Sequence, residues 1–239
     1  MGSANLLQDT LAEQLLELAL KSGAEAAEVY QSRSLSRPVF FEANRLKQLE
    51  TSQSEGTALR LWRDGCPGLT VAYGDVDPQA MVEKSLALSQ LNPPETVELG
   101  SHSGHYYPDL GKSVSVEMLI NWGKQAIALI RDVYPDILCH SDWECDIENT
   151  KLINSKGLDS HYTDTTLSCY MSAEWVRGDD FLSVADGQTQ RYELSPEKIA
   201  SQILQRLNWA KKNVPSPSGR SPVLLSLIHI SEPTRQAEI

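Results

Sequence analysis

The sequence is short of several things, and each shortage removes a class of function. No stretch of its 239 residues approaches the roughly 20 consecutive apolar residues of a membrane-spanning helix, so no membrane span is expected. Dense Lys/Arg clusters are absent and the formal net charge is -11. Phosphate neutralisation supplies most of the affinity for nucleic acid, so an acidic chain without a basic stripe is read as binding none. The start, Met1-Gly2-Ser3-Ala4-Asn5, has neither the basic region nor the apolar run of a secretory signal, and Leu6 stands where a myristoylation signal carries Ser or Thr. The four cysteines, Cys66, Cys139, Cys145 and Cys169, form no C-x-x-C pair. Without an export signal, they are expected as reduced thiols in the cytoplasm. The P-loop ending Gly-Lys-Ser/Thr, the dinucleotide G-x-G-x-x-G and the nucleophile elbow G-x-S-x-G are also missing.

What is present is ordinary globular chemistry. Hydrophobic residues make up 41% and charged residues 22%, and the length allows one large domain or two small ones with a sizeable core. Leu7, Leu11, Leu15 and Leu18 recur at helical spacing and predict a helix from about Leu7 to Lys21, stopped by Gly23. Strands are expected at Glu28 to Ser32 and Pro38 to Glu42. Gly56 to Trp62 and Leu69 to Tyr73 flank Asp64-Gly65, a hairpin signal. Asn44 to Gln53 reads as a turn and a short strand. Asp77 as N-cap and Pro78 at the first position open a second helix, which ends before Asn92-Pro93-Pro94. Glu95 to Lys112 has little periodicity and reads as a long surface connection.

Ser115 caps a third helix, Val116 to Val133, followed by strands at Ile137 to Ile147, Lys151 to Asn154, His161 to Tyr162 and Thr165 to Trp175. A last helix starts at Ser195-Pro196 and ends before Pro215, where Pro215 to Gly219 leads into a strand at Val223-Leu224. Strands grouped between helices give an α+β fold, with helices flanking antiparallel or mixed sheets. Leu225 to Arg235, Leu-Ser-Leu-Ile-His-Ile-Ser-Glu-Pro-Thr-Arg, resembles one translated frame of a transposase-type sequencing adapter. Residues 225–239 are therefore expected to be a non-native tail, His229 counts for nothing as a ligand, and the gene is expected to continue past Leu224.

Five segments carry a family resemblance: Ser22-Gly23-Ala24 with Ala27-Glu28-Val29-Tyr30, the strand Ser54-Glu55-Gly56-Thr57-Ala58-Leu59-Arg60, its partner Gly65 to Gly74, the turn Leu152-Ile153-Asn154-Ser155-Lys156-Gly157, and Gly219 to Leu224. Their order and spacing resemble the N-terminal domain of TldD/PmbA proteins, from about Leu11 to Leu224. TldD-type members are zinc metallopeptidases with an H-E-x-x-x-H motif in the second domain, and the PmbA (TldE) type is the partner lacking it. Together they degrade unstructured peptides and help mature some peptide natural products. This sequence contains neither H-E-x-x-x-H nor H-E-x-x-H, which leaves the two types unseparated, although Ser195 to Leu224 leans towards the PmbA type.

The resemblance implies an N-terminal α+β domain at residues 1–214 with a subdivision near 95–112, and a linker and the start of a second domain at 215–224. It also implies a TldD/TldE-type partner subunit, an unfolded peptide substrate, and zinc in the intact TldD-type assembly; independently of the resemblance, exposed edge strands suit an extended peptide held by main-chain hydrogen bonds. On that reading the chain is a front half, inactive alone. The rival reading is a non-enzymatic acidic protein-interaction module.

Each residue that offers chemistry also has a structural role open to it. His102 and His105 lie three apart in a Gly- and Ser-rich loop with no third ligand in sight, and a zinc site needs three. Cys139, Ser141, Trp143, Cys145 and Ile147 share one face of a strand, while His140, Asp142, Glu144, Asp146 and Glu148 share the other, which reads as a half-buried strand with an acidic outer face. Nothing places two of Asp142, Glu144, Asp179 and Asp180 around a cleft. Trp62, Trp122, Trp143, Trp175 and Trp209 fall on separate elements and are read as packing, with one or two left to face a partner. No catalytic, cofactor-binding or metal-ligating residue is assigned.

Overall fold

The computed structural model describes residues 4–101, 103–178, 180–212, 215 and 218–220, those at 4–9, 103–106 and 177 by their main chain alone. The expected Val223-Leu224 strand, the 225–239 tail, His102 and Asp179 lie outside the described residues. The chain forms two compact units, Met1–Arg206 and Leu207–Ile239. In the second, Lys211 N–H donates to Asn208 O at 3.3 Å and Lys212 N–H to Trp209 O at 3.5 Å, closing a helix end.

The elements run α1 (Ala4–Lys21), β1 (Ala26–Glu42), β2 (Arg45–Leu49), β3 (Ser52–Arg63), β4 (Cys66–Tyr73), α2 (Pro78–Ser89), β5 (Ser103–Tyr107), α3 (Val116–Val133), β6 (Leu138–Asn154), β7 (Asp159–Arg177), β8 (Asp180–Gln190) and α4 (Pro196–Trp209). Among the described residues all the strands join one mixed sheet in the order β4-β3-β1-β6-β7-β5, with β2 added to β1 and β8 to β7. Every pairing is antiparallel except β5 with β7. The fold class is α+β, as the grouping of strands between helices implied.

Local chemistry sets the element ends. Asp77 Oδ1 accepts from Gln79 N–H at 3.0 Å and Ala80 N–H at 3.3 Å, with Pro78 opening α2. Ser115 Oγ accepts from Met118 N–H at 3.3 Å at the start of α3. Asp64 and Gly65 take φ of 54° and 73°, the mirror-image turn that matches strand twist, and so β3 and β4 close as a two-residue hairpin.

Five strands differ from expectation; β6 and β7 are each continuous where two shorter strands are expected, because they pair with each other from Leu138–Glu174 to Ile153–Asp159. β1 is continuous through Arg33 to Arg37, where a gap was expected. That stretch is polar, but it pairs on one edge with Ser52 to Glu55 and on the other with Cys145 to Asn149, so main-chain bonds hold it extended. The Glu95 to Lys112 connection contains β5, paired parallel to β7. β8 was not expected; Ser183, Ala185, Gly187 and Thr189 give it little apolar signal, and its hairpin with β7 makes it a strand.

The helices lie on one face of the sheet, at two ends of the long strands β1, β6 and β7. At one end Ala12, Leu15 and Ala19 of α1 and Met81 and Val82 of α2 bury Val29, Leu59, Leu61 and Ile153. Gly68 lets α2 approach closely, since a Cβ there would stand 1.9 Å from Ser85 O. At the other end Leu119, Trp122, Ala126 and Ile130 of α3 are buried with Val39, Phe41 and Trp143, the indole rings of Trp122 and Trp143 lying 6.5 Å apart. Ile199 and Ile203 of α4 are fully buried too.

Candidate functional site

Between the two helical caps the helix-facing side of the sheet is polar. Register puts Gln31 beside Lys151 and Thr57, with His161 beyond Lys151; one rung on, Arg33 lies beside Asn149 and Glu55, with Thr163 beyond. These side chains line a cavity of about 350 Å³ that Leu11 of α1 borders. Its charges are matched within the protein. Arg33 Nε lies 2.8 Å from Glu55 Oε1, and Lys151 Nζ, its side chain 11% exposed, lies 2.5 Å from Glu13 Oε1. Thr163 Oγ1 donates to Asn149 Oδ1 at 2.9 Å. Matched ion pairs and amides suit polar recognition.

The opposite face carries the acidic row. On β6 Cys139, Ser141, Trp143 and Cys145 are buried and His140, Asp142, Glu144, Asp146 and Glu148 are half-buried, which is the two-faced strand read from the sequence. Ser32 Oγ donates to Glu148 Oε1 at 3.2 Å, and Ser36 Oγ donates to Glu144. Burial, then repulsion from Glu144, raises the Asp142 carboxyl above the ordinary range. Burial, then Glu144 and Glu148, raises Asp146. A second cavity of about 450 Å³ lies at this face beside Phe40, Lys47, His140, Asp142 and Tyr170.

The residues that offer chemistry separate accordingly. Cys139 and Cys145 point into the core, away from His140 and Asp142. Burial pushes the Cys139 thiol up to about 11 and the Cys169 thiol up to about 12, so neither is a thiolate near neutrality. His140 Nε2 lies 3.5 Å from Glu174 Oε2, and His161 Nε2 lies 2.9 Å from Asp159 Oδ1 on the other face of the sheet. Asp180 is an exposed residue at the start of β8. Among the described residues no group of three or more His, Cys, Asp or Glu side chains is placed to hold a metal ion, and no helix is long and apolar enough to cross a membrane. Trp62 and Trp143 are fully buried, Trp122 is nearly so, Trp175 packs edge-on to Tyr134 at 5.0 Å, and Trp209 is 65% exposed.

Sequence reading missed the cleft. Its Arg33–Glu55 pair depends on the Ser-rich middle of β1 being strand, and its Lys151–Glu13 pair joins positions 138 apart. The one available signal was the charged or amide residue at every second position of Gln31, Arg33, Glu55, Asn149 and Lys151.

Residues 27–89 match the family model described as PmbA/TldA metallopeptidase domain 1. TldE from Thermococcus kodakarensis has this fold, at 22% identity over 86% of this chain and 49% of that one, with a TM-score of 0.75. So does a candidate modulator of a DNA gyrase from Thermotoga maritima, at 17% identity over 87% of this chain and 50% of that one, TM-score 0.74. A candidate DNA gyrase modulator from Bacteroides thetaiotaomicron is also similar, at 18% identity over 84% of this chain and 49% of that one, TM-score 0.70. The chain spans about half the length of these three structures. No curated protein matches it. Residues 27–89 are thus similar to a PmbA/TldA metallopeptidase first domain, and the chain shares its α+β fold with a TldE.

Proposed function

We propose that the chain serves as the N-terminal part of a TldD/PmbA-type peptidase assembly that degrades unstructured peptides, contributing subunit pairing and enclosure of the peptide path. The observation that carries this is the match of residues 27–89 to a metallopeptidase first domain, in a chain spanning about half of the structures that share its fold. Zinc hydrolysis needs three protein ligands and an open position. The described residues do not fit that need: the His140 and His161 side chains lie on opposite faces of the sheet, and two of the buried thiols are held protonated. The metal chemistry is therefore assigned to a second domain or a partner subunit. The free cysteines agree with a cytoplasmic setting.

Co-expression with a catalytic TldD-type subunit tests the reading. The expected result is co-elution of the two chains and hydrolysis of an unstructured peptide that depends on the pair. Chelator-sensitive hydrolysis by this chain alone would overturn the assignment of chemistry elsewhere. The row Asp142, Glu144, Asp146 and Glu148 favours a second reading, an acidic interaction module without proteolysis. A chain that binds cationic proteins but pairs with no TldD-type subunit would support that reading.

A further inference from the structure

The hairpin of β3 and β4 fixes which main-chain groups of β4 face outward. Gly74 N–H donates to Glu55 O at 3.1 Å, and an antiparallel ladder alternates from there. Thr57 with Ala72, Leu59 with Thr70 and Leu61 with Gly68 are then the bonded pairs. The amides and carbonyls of Leu69, Val71 and Tyr73 point away from β3, along an edge that pairs with no strand among the described residues. Pro67 falls in the same outward phase, where its missing N–H costs the sheet nothing, and its carbonyl accepts from Asn92 Nδ2 at 2.8 Å.

What remains open is a row of three outward residues, which are 52%, 50% and 81% exposed. From behind, α2 holds the strand rigid through Gly68 against Ser85 and a 2.8 Å bond from Ser85 Oγ to Thr70 Oγ1. Edge strands are commonly blunted by charge; this one presents Leu, Val and Tyr instead. Exposed Asp75 follows the strand at one end, and exposed Arg63 precedes the hairpin at the other.

We propose that the outer edge of β4 is a strand-addition site for an extended polypeptide, which pairs antiparallel with Leu69 to Tyr73 and lays alternate apolar side chains beside Leu69, Val71 and Tyr73. Charge sets the direction, because an antiparallel peptide brings its N-terminal end to Asp75 and its C-terminal end towards Arg63. Main-chain bonds supply affinity without regard to sequence, and the alternate side chains add an apolar preference. That the peptide is a substrate rests on the functional reading above; the edge itself does not.

The test titrates the full chain with a fluorescein-labelled peptide, Lys-Thr-Val-Thr-Val-Thr-Val with a free carboxylate, and with the same peptide N-methylated at alternate amides. Binding of the first and not of the second is expected. Amide exchange at Leu69, Val71 and Tyr73 is expected to be fast in the free protein and slowed by the peptide, with Thr70 and Ala72 slow throughout. Val71→Pro removes an outward N–H and spares the ladder to β3, and should weaken binding about tenfold; Val71→Lys, a gentler change, should weaken it too. Binding indifferent to N-methylation and to both variants would overturn the proposal. So would concentration-dependent protection of those three amides in the free protein, which would mean that a second copy occupies the edge. Peptide binding and partner-dependent hydrolysis both unaffected by Val71→Pro would sink the edge site and leave the functional reading standing. Peptide binding without any TldD-type pairing would do the reverse.

Discussion

Gly123 of α3 lies against the ring of Phe41 on β1 so closely that a Cβ at position 123 would stand 2.3 Å from Cε2. The helix seats on the sheet only because that side chain is absent. Gly123→Ala is expected to lower stability by about 1–3 kcal/mol, the usual range for overpacking a filled core, as read from the midpoint of a denaturant titration. Adding Phe41→Leu should recover part of the loss, whereas a purely helical effect would favour alanine and raise stability.

Asn44 ties the β1–β2 turn to the start of β6. Its Nδ2 donates to Ile137 O at 2.9 Å, its Oδ1 accepts from Cys139 N–H at 2.8 Å, and its own N–H donates to Cys139 O at 3.0 Å. Its φ is 70°, a region that costs most side chains energy. Asn44→Ala should cost about 1–3 kcal/mol through the unpaired backbone groups. Asn44→Gly loses the same side-chain bonds but not the backbone fit, so it should cost less. Equal losses in thermal unfolding would refute the role given to the backbone.

The raised carboxyl of Asp142 has a signed consequence. A folded-state pKa above the unfolded one contributes stability below the ordinary aspartate range of about 3.9, and that contribution is lost as pH rises through the folded value. Ionised Asp142 therefore costs stability at neutral pH. Asp142→Asn should stabilise the protein at pH 7 by a few tenths to about 1 kcal/mol, the scale of like-charge contacts in sheets, with the gain vanishing near pH 3. A gain that persists in acid would point to packing instead.

Of the four cysteines only Cys66 is half-exposed, and the other three are buried. Near pH 8, dithionitrobenzoate should titrate one thiol quickly and the rest only on unfolding, since burial keeps Cys139 and Cys169 protonated far above that pH. Two or more fast equivalents would show that the β6–β7 core opens in the native protein.

Where side chains announce the backbone, the sequence was readable. The Asp77-Pro78 start, the Ser115 cap with its helix from Val116 to Val133, and the Asp64-Gly65 hairpin stand where their residues place them. The two faces of β6 followed from simple alternation from Cys139 to Cys145. What stayed hidden depends on partners distant in sequence. Ser34 and Ser36 have no strand preference of their own, and become strand because Ser54 and Ser52 lie on one side and Glu148 and Asp146 on the other. The cleft was hidden for the same reason, because Lys151 meets Glu13 only after β6 has joined β1. The outward phase of Leu69, Val71 and Tyr73 is set by hairpin register, which alternation alone leaves undefined.

The central ladder joins strands made at different times. β1 pairs along nearly its whole length with β6, and Phe41 faces Ser141 about a hundred residues later. At synthesis rates of roughly 5–20 residues per second, a ribosome leaves that side of β1 bare for on the order of ten seconds. During this interval β1, β3 and β4 can already be zipped together, since they lie close in sequence. The nascent chain thus shows the cell a finished hairpin sheet with one long raw flank. The serines and charged residues along the middle of β1, which conceal the strand from a reader of the sequence, keep that flank soluble while it waits.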